Sequence, residues 1–222
     1  MKKSYWILVI LGIVAIAAGL FFFSQQRIAR YYTITSTANE PGLRLHSKYL
    51  TSSLITPEKL DFVVFNFKHE ITGDGQWVYR LIAEAGDTLQ IKDAITYVNG
   101  VNTDASLKLK HSYILSEKEF HIVEKSNLHH ESYLIAKNQY LAHLPDSFAL
   151  SKNFSSTKKN INQVDDSILK KYSEPWNKDE FGPYIIPEGA FFVMGDNRHN
   201  ALDSRYIGVI QVSEIVGVII KK

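Results

Sequence analysis

The chain has 222 residues, 45% of them apolar and 12% aromatic, with a formal net charge of +2. That is length for one domain, or one domain with an inserted lobe, around a substantial core, and the composition is that of a folded chain. The near-balanced charge argues against a nucleic-acid footprint, and the absence of cysteine excludes a disulfide, a thiolate nucleophile and Cys-ligated zinc.

From Trp6 to Phe23 eighteen residues pass without a charge or a proline. As a helix they reach roughly 27 Å, about the hydrocarbon thickness of a bilayer, so the stretch is expected to cross a membrane. Ala15 and Ala17 offer the small-x-small pattern of a cleaved signal peptide, but the apolar run continues past them to Phe23, which favours a retained anchor. Charge barely decides the orientation, because Lys2 and Lys3 on one side face Arg27 and Arg30 on the other.

Tyr31 to Leu45 follows, with the hydroxyls of Thr35, Ser36 and Thr37 just ahead of Ala38, Asn39, Glu40 and Pro41. A turn punctuated by Pro57 leads to a strand over 61–67. Gln76 to Gly100 supplies three strands, at 77–83, 88–92 and 94–98, with turn chemistry at Ala85-Gly86-Asp87 and Asn99-Gly100. Val101 to Pro175 is mixed: strand-like at His111 to Leu115 and Tyr133 to Leu144, helical at Ser116 to Lys125 and Asp165 to Tyr172, and polar from Ser151 to Gln163. Apolar and aromatic residues recur through it, so it reads as a lobe rather than a linker. Its histidines, His111, His121, His129, His130 and His143, match no ligand spacing and have no acidic partner in step, so no metal site is expected.

The densest chemistry lies near the end. An apolar run from Ala190 to Val193 enters a sharp turn at Gly195, Asp196 and Asn197. Asp196, Arg198, Asp203 and Arg205 then alternate in sign, and bidentate Arg–carboxylate pairs can lock an irregular loop in one shape. Val209 to Ile220 closes the chain in strand-like fashion, with Lys221 and Lys222 as a solvated tail.

The string Met194 to Ile207, M-G-D-N-R-H-N-A-L-D-S-R-Y-I, resembles the signature of bacterial signal peptidase I, a family of membrane-bound serine-lysine proteases that remove signal peptides from exported proteins. The family pattern reads G-D-N-R-D-N-S-x-D-S-R, so this chain departs at His199 and Ala201. The segment F-G-P-Y-I-I-P-E-G, from Phe181 to Gly189, is similar to the family's lead-in. The resemblance implies a mainly β fold: a signal peptidase-like antiparallel β body over 31–100 and 176–222, an N-terminal membrane anchor over 1–30 and an inserted α+β lobe over 101–175.

The same resemblance locates the site. Aligning the family's nucleophile motif, S-G-S-M-x-P-T-L, on Glu40 and Pro41 puts Ala38 at the nucleophilic serine, Ser36 at the earlier serine, Thr37 at the glycine and Asn39 at the methionine. The family's K-R pair ahead of a P-G-D turn falls on Tyr79 and Arg80, so the basic lysine is tyrosine here. Ala201 replaces the serine that helps orient that lysine. Tyrosine, with a reference pKa near 10 that burial raises further, is a proton donor at neutral pH, and arginine stays protonated. The loop residues Gly195, Asp196, Asn197, Arg198, Asp203, Ser204 and Arg205 stand as in the family. Its oxyanion hole would fall on the Ala38 N–H and the Ser36 hydroxyl.

The expected function is a catalytically degenerate signal peptidase I homologue in the bacterial inner membrane. It is expected to be single-pass, with the globular part on the outer face and no cofactor, and to bind signal peptides or an active signal peptidase. One alternative is an active serine endopeptidase using Ser36 or Thr37 with a relocated lysine such as Lys48 or Lys68. Another is an interaction scaffold working through the inserted lobe.

Overall fold

The computed structural model describes residues 2–25, 28–69, 73–154, 158 and 163–220, without the side chains of 2–4, 20, 22–25 and 69. Helix α1 (Lys2–Gln25) leads into β1 (Ala29–Thr33), β2 (Lys48–Ser52), β3 (Phe62–His69) and β4 (Gly73–Glu84). Strands β5 (Thr88–Lys92), β6 (Ile95–Val98), β7 (Val101–Asn102) and β8 (Lys110–Ser116) follow, then α2 (Glu117–Glu124), β9 (Glu131–Ala136) and β10 (Gln139–Pro145). The chain continues through α3 (Asp146–Ser151), α4 (Asp166–Tyr172), β11 (Phe181–Ile185), β12 (Ala190–Met194), α5 (Ser204–Ile207), β13 (Ile210–Gln211) and β14 (Ile215–Ile219). The architecture is mainly antiparallel β.

Among the described residues the strands form three sheets, ordered β1-β2-β14-β3-β4-β12-β13, β11-β5-β6-β7 and β8-β10-β9. The first two make one body through a shared cluster in which Ile82 and Phe192 of one sheet pack with Leu89, Val98 and Phe181 of the other, and strand β3 is covered on both of its faces. Its period of two sends Val63 and Phe65 into one apolar cluster and Phe62 and Val64 into another on the opposite face. Strand β12 is buried along its whole length because both faces are covered, Phe191 and Val193 on one side and Phe192 and Met194 on the other. It therefore delivers the chain to Gly195 from a fixed direction.

Residues 110–154 carry a core of their own around Tyr113, Leu115, Phe120, Val123 and Leu144. Within it α2 starts at a capping box, Ser116 and Glu119 each satisfying the other's backbone. Helix α4 is built differently: its Ile168 packs with Ile82, Leu89 and Phe192 of the body.

The Asn99-Gly100 turn joins β6 to β7 with both residues at positive φ, as a two-residue hairpin turn requires. Two features depart from the sequence pattern. The stretch 133–144 is a hairpin rather than one strand, because Asn138 takes φ 57° and turns the chain between β9 and β10. And no pattern predicts the β1–β2 ladder, whose register runs from Ala29 opposite Ser52 to Thr33 opposite Lys48.

Helix α1 is 24 residues long. Trp6, Leu8, Ile10, Leu11, Ile13, Val14 and Ile16 are all more than half exposed, at positions spread around the helix. Among the described residues, no helix is long and apolar enough to cross a membrane. The expected span over 6–23 includes positions 20, 22 and 23, whose side chains lie outside the described residues, as do 155–157 and 159–162 of the polar stretch and the tail at 221–222.

Candidate functional site

The alternating charges after Gly195 are buried, which explains how an irregular loop holds its shape. Asp196 takes the guanidinium of Arg80 at 2.7 and 2.5 Å, and that guanidinium also lies 4.0 Å over the Phe62 ring. Arg198 forks onto Asp104 at 2.6 and 2.7 Å and donates to the Thr96 hydroxyl. Asp203 pairs with Arg205 at 2.8 Å, caps α5 and takes the Gly195 N–H. Burial works against the Arg205 charge, but the Asp203 carboxylate outweighs it and raises the pKa. Ser204 accepts the Val193 N–H through its hydroxyl. Desolvated charges on this scale persist only when each is paired, so the loop is an internal strut rather than a solvated surface.

Ala38, Tyr79, Ala201 and Gly195 converge at the foot of this strut. Ala38 and Tyr79 share one buried cluster, with Ala201 packed against it. A Cβ placed on Gly195 would lie 2.5 Å from the Ala38 carbonyl oxygen, 2.6 Å from the Ala201 methyl and 3.3 Å from the Tyr79 ring. Only a residue without a side chain fits there. The Asn197 N–H donates to the Ala38 carbonyl at 2.9 Å, and the Asn39 amide donates to the Val78 carbonyl at 2.7 Å, so the turn carrying Ala38 is tied to both the loop and β4.

Burial, with the nearby Asp203 carboxylate, pushes the Tyr79 phenol well above the ordinary tyrosine value, against the opposing pull of the Leu202 backbone and Arg205. The phenol is neutral, a donor and no base. Ser36 is exposed and lines a cavity of about 250 Å³ that Tyr32, Ile34, Trp77, Tyr79 and Leu202 also line.

The lysines named for a relocated base lie elsewhere. Lys48 is exposed, and the Lys68 side chain is 87% exposed, 3.7 Å from Asp74. Lys110 is buried, and its amine is committed: it donates to Glu40 at 2.6 Å and to the His129 carbonyl at 3.2 Å. The Thr37 hydroxyl donates to Glu131 at 2.9 Å, and the Asn200 amide donates to the other Glu131 oxygen at 2.6 Å.

Glu131, Asp104 and Asp179 went unnoticed in the sequence because each meets its partner across a long separation in the chain. His199 was visible only as a departure from a motif; folded, it shares a 2.7 Å contact with Asp179 and accepts the Ser112 N–H through Nδ1 at 3.0 Å. Burial lowers its pKa to about 3 despite that carboxylate. The lobe's own histidine His111 is held at 2.9 Å by Asp146. No group of three or more His, Cys, Asp or Glu among the described residues could hold a metal ion.

The fold and this site together are an antiparallel β body with a buried, ion-paired loop closed against a strand-side cleft. The family described as "Signal peptidase, peptidase S26" matches residues 3–221, and the chain belongs to it. Signal peptidase I of Aquifex aeolicus is 28% identical over 205 residues, covering 88% of this chain and 75% of that protein. Signal peptidase I T of Bacillus subtilis is 29% identical over 158 residues, covering 71% of this chain and 52% of its own. For signal peptidase I of Buchnera aphidicola subsp. Baizongia pistaciae the figures are 27% over 184 residues, 74% and 54%. The chain thus spans three quarters of the first relative and about half of the other two. A crystal structure of a signal peptidase I from Enterococcus faecalis aligns with 75% of this chain and 98% of that one, at 22% identity and a TM-score of 0.34.

Proposed function

We propose that this chain is a membrane-anchored member of its family that takes part in signal peptide processing by binding, without cleaving. Its ligand would be the signal peptide of an exported protein or an active signal peptidase. The observation that carries the reading is the convergence of Ala38, Tyr79 and Ala201 on Gly195. An alanine methyl has no atom with which to attack a carbonyl, and a buried neutral phenol cannot strip a proton. The cavity beside them, lined by Ile34, Trp77 and Leu202, keeps apolar walls suited to a peptide's side chains.

The apolar residues exposed around α1 support membrane insertion, since so much apolar surface is not left in water by a monomeric protein. Insertion would seat the body at the membrane surface, with the globular part outside the inner membrane.

The test uses the full chain in nanodiscs with a fluorogenic signal-peptide substrate. Saturable binding without turnover is expected. Cleavage at the small-residue site by protein free of contaminating peptidase would overturn the reading.

A second reading, an interaction scaffold, is favoured by one feature of the lobe. Tyr133, Leu134 and Ile135 are consecutive in β9 and 54%, 66% and 47% exposed. Charging all three should abolish partner capture under this reading and leave signal-peptide binding intact under the first.

A further inference from the structure

The segment 34–44 borders three cavities, one of them through Pro41 alone. Its first residues line the apolar one beside Tyr79, while Glu40, Pro41 and Arg44 line a second, of about 720 Å³, between the body and the inserted lobe. That volume lies in the range of ligand sites. Leu45, Leu128 and Pro145 supply apolar wall, and the charged groups are unevenly divided.

Arg44, Lys108 and Lys110 face a single carboxylate, Glu40, leaving two positive charges before His46 and His129 are considered. Glu40 is already taken. It accepts Lys110 at 2.6 Å and lies 3.4 Å from His129 Nδ1. Burial pushes its carboxyl pKa up, but Lys110 and His129 outweigh burial and hold it below the ordinary value, so it stays ionised. Lys110 is fixed in turn: its N–H donates to the Asp196 carbonyl and its own carbonyl accepts the Arg198 N–H, both at 2.9 Å. The ion-paired loop that closes the groove thus also holds this wall. Arg44 and Lys108 are exposed, and among the described residues neither lies within 4.0 Å of a carboxylate.

We infer that this second cavity is an anion subsite for an acidic peptide segment. It would receive the carboxylate side chains that follow the stretch held in the apolar cavity, on Arg44 and Lys108. The inference rests on the peptide-binding reading above. A peptide is favoured over a lipid headgroup because a single stretch of chain borders both cavities, so one extended ligand could reach both.

The experiment measures anisotropy of two labelled peptides with the full chain in uncharged nanodiscs. Both carry an apolar segment ending in small-x-small, followed by Asp-Glu in one and by Asn-Gln in the other. The acidic peptide is expected to bind roughly five- to tenfold tighter at low salt, the scale of two partly exposed charge pairs. The gap should close near about 1 M salt. In the R44Q/K108Q variant the gap should vanish while the affinity for the Asn-Gln peptide and the melting temperature hold. Equal affinities in the wild-type chain would overturn the subsite and leave the groove reading standing. If neither peptide binds, the groove reading fails and the subsite falls with it. A variant that loses sedimentation with phosphatidylserine vesicles while keeping the peptide gap would reassign the cavity to lipid headgroups.

Discussion

Asp196 receives Arg80 through both arms of the guanidinium fork, at 2.7 and 2.5 Å, across a separation of 116 residues. Arg80 follows Tyr79 in β4 and Asp196 follows Gly195, so this pair sets how closely the strand bearing Tyr79 approaches the glycine on which Ala38 and Ala201 close.

Removing one member of that pair should cost far more than the pair contributes net, because the other charge is left buried. Asp196→Ala is expected to lose about 3–5 kcal/mol in urea denaturation. A loss near the surface range, under about 1 kcal/mol, would mean that Arg80 finds water.

Gly195→Ala places a methyl 2.5 Å from the Ala38 carbonyl and 2.6 Å from the Ala201 methyl. Overpacking of this kind costs about 1–3 kcal/mol. Thermal melting should show a drop for the single variant and a partial recovery for G195A/A201G, which removes one of the two collisions.

His199 gives the pH dependence a sign. Unfolded, its imidazole takes a proton near the ordinary 6.5, whereas folded it does not until about 3. Its contribution to stability is therefore complete above the unfolded value and shrinks as pH falls toward the folded one. The loss is about 2 kcal/mol by pH 5. His111, also lowered by burial against the pull of Asp146, adds to the same slope. Melting temperatures from pH 7 to 5 should fall less steeply for His199→Gln than for the native chain.

Thr37, Asn200 and Glu131 tie the groove, the loop and the lobe together. Thr37→Val deprives a partly buried carboxylate of one donor, a cost of about 1–3 kcal/mol. Hydrogen exchange should quicken over 35–40 and at the start of β9, with the core of β3 unchanged.

If Ala38 and Tyr79 stand where attack and deprotonation would occur, the double variant A38S/Y79K should gain signal-peptide cleavage that neither single variant has. Members of such a unit are strongly non-additive, and the double variant should exceed either single one by about a thousandfold or more in kcat. A gain in A38S alone would place the base elsewhere, and no gain in any of the three would count against the alignment of the site.

The sequence by itself determined the family and the β body. A loop with fixed charge order after a buried run, strands of period two and a turn such as Asn99-Gly100 are local patterns, and local patterns survive without coordinates. It also named Ala38, Tyr79 and Ala201 as one site, by register against a motif. What only the tertiary structure decided is which charge meets which. Arg80 pairs with Asp196, Arg198 with Asp104, and Glu131 of the lobe comes to Thr37. No short-range rule links residues so far apart in the chain; burial does, because a charge or hydroxyl taken out of water must meet a partner wherever the fold brings one.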